Sequence, residues 1–216
     1  MEIKLNRIIK YLIYSDLVFY TGWGLISPIF AIYILNSISG GTAFVAGMAS
    51  AIHLVVRSLV RIPFGIYVDK SRNNKKAYYF MVLGLLVAAL IPFGFIFSKL
   101  PVHIYILQAI LGISLAMSTA GWTCIFARHT DKRKESTEWG VDAVAVGLGP
   151  GIAAAVGGLL VTYFSFNYVF IAVGVLGIIG TLLLLIVKKN IIRAPYMPDG
   201  RLFTSYESRR LKKARF

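Results

Sequence analysis

Cysteine occurs once in the 216-residue sequence, at Cys124, so no disulfide can form within the chain. Histidine occurs three times and acidic side chains nine times, scattered along the length. Such scarcity offers no metal-ligand cluster, no Ser/His pair and no two-carboxylate arrangement with a visible partner. The chain therefore reads as a non-enzyme that holds neither metal nor cofactor. Charge is also sparse along six long stretches, which excludes an ordinary soluble domain.

Apolar residues make up 57% of the chain, and the mean hydropathy is +0.73. That is a membrane composition. The expected spans are Ile8 to Leu35, Thr42 to Val68, Ala77 to Ser98, Pro101 to Ala127, Glu138 to Phe164 and Asn167 to Val187. A formal charge of +14 would suggest nucleic acid in a soluble protein. Here twenty of the 23 basic residues fall on one side of the spans and Lys99 alone on the other, with Arg57 and Arg61 inside a span. This is the positive-inside pattern, so nucleic acid is not the partner. Both termini are expected in the cytoplasm of a multi-pass protein of the plasma membrane.

Residues 1–189 form the expected membrane domain and residues 190–216 a basic tail. Thr204 and Glu207 have capping-box spacing there, and Ser205 to Phe216 would make an amphipathic helix or a disordered tail. The loop from Arg128 to Thr137 reads as a solvated charge run. Span three carries no charge and reads as lipid-facing, and Gly174, Gly177 and Gly180 lie on the surface of span six.

Charges at bilayer depth are costly and turn into a bundle or a watery cavity. Asp16, Tyr20, Trp23 and Ser27 recur at helical spacing and form one stripe on span one, which Pro28 should kink. His53, Arg57 and Arg61 share a face of span two at i, i+4 and i+8. Gln108 and Trp122 fall near one face of span four, and Asp142 lies just inside span five. At 1.5 Å per residue, Arg57 sits ~18 Å from Asp69 and Arg61 ~12 Å. Asp16, ~9 Å beyond Lys10, reaches the depth of Arg61 and is its expected partner, with Asp142 as the other choice. Arg57 is then left near the midplane as a ligand group for an anion.

The stretch Gly65, three residues, Asp69, Lys70 resembles the loop between the second and third helices of the major facilitator superfamily. Arg72 stands at that signature's second glycine. Gly149-Pro150 is similar to the superfamily's fifth-helix motif, with Ala153 and Ala154 where two glycines usually follow; helix packing is the favoured role. An Arg that some members use in proton coupling is Gln108 here, aligned on Gly112. The resemblance covers about Ile8 to Lys189. It implies an all-α membrane fold of six helices, one half of the superfamily's usual twelve, built as a 3+3 inverted repeat. It further implies a transporter of a small solute that works by alternating access, and the midplane Arg57 favours anionic solutes. A parallel homodimer in the bilayer, a separate second half or the remainder of a longer chain would complete it. The alternative is the membrane substrate-binding subunit of a multi-component importer.

The charge asymmetry is testable in intact cells. A cysteine at Ser39 or Lys99 should label from outside and one at Arg72 should not; labelling at Arg72 would reverse the orientation.

Overall fold

The computed structural model describes residues 5–71 and 74–193, and every regular element among them is helical. They are α1 (Arg7–Ile26), α2 (Phe30–Ser37), α3 (Ala43–Asp69), α4 (Asn74–Ile96), α5 (Pro101–His129), α6 (Glu135–Tyr163), α7 (Phe166–Ile186) and α8 (Lys188–Ile192). A 3-10 turn at Ser27–Ile29 joins α1 to α2, which places the break of the first span at Pro28 as the sequence suggests. Proline lacks the N–H that would continue the helix, and Ser27 before it turns its hydroxyl back onto its own helix, donating to the Trp23 carbonyl at 2.8 Å. Among the described residues, six helices, or helix pairs, are long and apolar enough to cross a membrane. Arg72 and the expected tail helix lie outside the described residues.

Local chemistry fixes the ends. The Asn6 carboxamide oxygen accepts from the Ile9 N–H (2.9 Å) and its amide donates to the His129 carbonyl (2.6 Å), tying the start of α1 to the end of α5. Thr42 caps α3 by accepting from the Val45 N–H at 3.2 Å. Glu135 and Glu138 occupy the first turn of α6, where the helix dipole favours negative charge.

The pairing of helices has an internal symmetry. Spans one to three are α1/α2, α3 and α4; spans four to six are α5, α6 and α7. α1 packs on α6 and α7, α5 packs on α3 and α4, and α4 packs on α7. Exchanging the first three spans for the last three maps this set of contacts onto itself, as an inverted repeat requires. Consecutive pairs α3–α4 and α6–α7 scarcely touch. The result is a ring of α1, α7, α4 and α5, with α3 docked on α5 and α6 docked on α1 as two wings.

Close backbone approach makes the wings possible. On α1, a Cβ at Gly24 would sit 2.5 Å from the Pro150 Cα of α6. On α5, a Cβ at Gly112 would sit 2.8 Å from the His53 carbonyl of α3. The first helix of each repeat thus carries a glycine where a wing crosses it. Without a hydrophobic drive between helices in lipid, such tight packing is what holds them together. Gly149, Ala153 and Gly157 complete the inward face of α6 against α1.

Three expectations are corrected. α4 is not simply lipid-facing: Ala77, Met81, Gly84, Ala88 and Ala89 are buried, while Leu83, Val87 and Leu90 face outward. Gly174, Gly177 and Gly180 are buried against α4 and α1 rather than on the surface. Arg128 belongs to α5, not to a solvated loop. It donates to the Asn74 side-chain oxygen at 3.1 Å and the Ser71 carbonyl at 3.2 Å, and buried Asn74 in turn donates to the Ile191 carbonyl at 3.0 Å. Glu138, just after that run in the first turn of α6, is fully buried and accepts from the Asp131 N–H at 3.1 Å.

Glycine substitutions read this packing directly. Gly24→Ala should lower the melting temperature, by overpacking worth about 1–3 kcal/mol. Gly151→Ala, where a new Cβ meets nothing within 4 Å, should be neutral or slightly stabilising. Equal shifts for the two variants in a detergent melt would contradict the wing contact.

Candidate functional site

The helices leave a concave front where the wings flank the seam between α1 and α5. Among the cavities that open there, two chambers lie across the α1–α5 seam. The inner one, about 480 Å³, lies toward the basic end of the bundle and is lined by Asp16 and Tyr20 of α1, Arg57 and Arg61 of α3, Ser118, Thr119, Trp122 and Thr123 of α5, and Trp139 and Asp142 of α6. The outer one, about 370 Å³, is lined by Phe19, Tyr20, Trp23, Ser27 and Phe30, facing Ser50, His53 and Leu54 across a floor of Gln108, Leu111 and Leu115. Tyr20 and Leu115 line both chambers and divide them.

The stripe on α1 and the charged face of α3 therefore meet across one front. Asp16 is buried, Tyr20 and Trp23 are half-buried, His53 and Arg57 are half-buried, and Arg61 is exposed. The Arg57 guanidinium lies within reach of the Tyr20 hydroxyl, although no hydrogen bond of good geometry joins them. Gln108 is buried in the floor of the outer chamber. Gly65, Asp69 and Lys70 lie at the basic end, away from both chambers, with Asp69 and Lys70 exposed. Gly149 and Pro150 contact α1.

The expected pair of Asp16 with Arg61 does not form. The Asp16 carboxyl faces that of Asp142, within hydrogen-bonding reach, and no ion pair joins Arg57 or Arg61 to a carboxylate among the described residues. The physical reason is rotational. Depth along α1 places Asp16 level with Arg61, but the Gly24–Pro150 crossing turns its face toward α6. A two-carboxylate arrangement thus exists where the sequence showed none. Trp139 was also missed. It is one turn from Asp142 on α6 and packs edge-on against Trp122, with ring centroids 5.6 Å apart. The i, i+3 and i+7 spacing of Trp139, Asp142 and Val146 was the signal that could have found it.

Four side-chain atoms on the walls are buried without a hydrogen-bond partner: Trp23 Nε1, His53 Nδ1, Trp122 Nε1 and Asp142 Oδ1. Buried polar groups are normally satisfied, so the chambers offer donors and acceptors to something that enters. No three His, Cys, Asp or Glu side chains converge on a metal position among the described residues.

A bundle of six membrane-spanning helices in two inverted triplets, with a polar front at mid-depth, is a membrane transport protein by architecture. The sequence profile of the Major Facilitator Superfamily matches residues 13–201, and the chain belongs to that family. No curated protein sequence matches it.

The carboxyl pair generates a double-mutant test. Asp16→Asn or Asp142→Asn supplies an amide donor opposite the remaining carboxyl and should raise stability by about 1 kcal/mol. Asp16 and Asp142 should couple by roughly 0.5–3 kcal/mol, while Asp16 and Arg61 should be additive within ~0.5 kcal/mol. Coupling confined to the Asp16/Arg61 cycle would restore the pair expected from depth alone.

Proposed function

We propose that the protein carries a small solute across the plasma membrane by alternating access, as two six-helix bundles related by a two-fold axis along the membrane normal, with the termini cytoplasmic. The observation that carries this reading is the open front. Arg57, Arg61, His53 and Trp122 stand at bilayer depth on a face that none of the described helices covers. Each polar group left in hydrocarbon costs several kcal/mol, so a second bundle must close the front. A copy in the same orientation does so, and rocking of the two bundles about the axis would expose the chambers alternately.

The wings support such a contact. α6 bears a second row of small residues, Ala143, Gly147, Gly151 and Ala155, on a face beside the one used against α1, and all four are exposed. A Cβ at Gly147 or Gly151 would meet nothing within 4 Å. Small residues at four-residue spacing are what membrane helices use to approach a partner closely. Arg57, with a hydroxyl beside it and no carboxylate, favours an anionic solute. The importer-subunit alternative has no support from the family match.

Native mass spectrometry of the purified protein tests the assembly. A species at twice the 23.9 kDa chain mass is expected, with Gly147→Leu or Gly151→Leu shifting it toward monomer. A wild-type protein that is monomeric and still transports at high dilution in liposomes would end this reading.

A further inference from the structure

The two chambers differ in chemistry. Four aromatic rings, Phe19, Tyr20, Trp23 and Phe30, wall the outer chamber, and no carboxylate or guanidinium lines it. Its serine hydroxyls are engaged by their own helices: Ser27 donates to the Trp23 carbonyl and Ser50 to the Ala46 carbonyl. The polar groups left over are few: the unpartnered Trp23 indole N–H, the ring of His53 and the Gln108 carboxamide of the floor. A polyhydroxylated solute would find too few partners there. A flat ring system would stack on Tyr20 and Trp23, and 370 Å³ accommodates two fused rings.

The full charge next to that chamber is Arg57, on the far side of Tyr20. The carboxyls of Asp16 and Asp142 are turned to one another, so they do not present themselves to a cation in the outer chamber. We infer that the solute is a planar aromatic monoanion, its ring against Tyr20 and Trp23 and its acidic group on Arg57 after displacing the Tyr20 hydroxyl. Tyr20 is then the partition between the chambers as well as a wall of the ring site. This deepens the transporter reading and rests on it for the solute's being cargo. Binding is measured without transport, so either can fail alone.

Isothermal calorimetry on the full chain, purified in detergent, compares four probes: 2-naphthoate, its neutral amide 2-naphthamide, cyclohexylacetate and 2-naphthylmethylammonium. Saturable 2-naphthoate binding is expected, roughly tenfold tighter than each of the other three, the loss anticipated when a stacking or charge contact is removed. Arg57→Gln should bind 2-naphthoate and 2-naphthamide alike, and Trp23→Leu should bring 2-naphthoate down to the level of cyclohexylacetate. Should either variant fail to fold, the wild-type ranking decides. An ammonium or saturated acid that binds as tightly as 2-naphthoate, or no saturable binding by any probe, overturns the assignment.

Discussion

A polar side chain in the middle of a bilayer has no water to turn to, and the architecture of this chain follows from where such side chains were put. Asp16, Arg57 and Asp142 sit on three different helices, α1, α3 and α6, yet all three reach one chamber. The two wings bring that about. α3 crosses α5 at Gly112 and α6 crosses α1 at Gly24, each at a backbone separation that a single added carbon would prevent. Close approach fixes the rotation of the wings, and rotation decides which charged groups meet.

The inverted repeat gives this arrangement economy. Its contacts between spans one and five repeat as those between spans four and two, so one packing solution serves both sides of the front. The back is closed by apolar side chains, and the end away from the basic loops by aromatic packing among Tyr33, Phe95 and Phe170, with Tyr33 also donating to the Phe95 carbonyl at 2.6 Å. At the basic end, Arg128 joins α5 to the start of α4, while Asn74 continues the connection to α8. The bundle is thus sealed behind and at that end, leaving the front open.

Much of this was legible in the residues. Six apolar runs gave six spans, Pro28 marked the break in the first, and helical spacing put Asp16, Tyr20 and Trp23 on one face and His53, Arg57 and Arg61 on another. What spacing cannot supply is the azimuth of one helix relative to the next. Asp16 has the depth of Arg61 and still turns to Asp142. Hydropathy fails in a related way for α4, because lipid and protein neighbours are equally apolar and its buried and outward faces look alike. Arg128 was misplaced because α5 continues into the charged segment as far as His129, half-burying a residue that composition assigns to solvent.

The central claim is that a second copy covers the polar front. Pulsed dipolar spectroscopy in lipid bilayers measures this most directly, with one spin label per chain. Labels at Ile152, on the outward side of α6, should give a short, narrow distance between copies, and labels at Ile179, on the lipid side of α7, a long one. The reverse order, or no dipolar coupling from Ile152 at any protein-to-lipid ratio, would contradict the account.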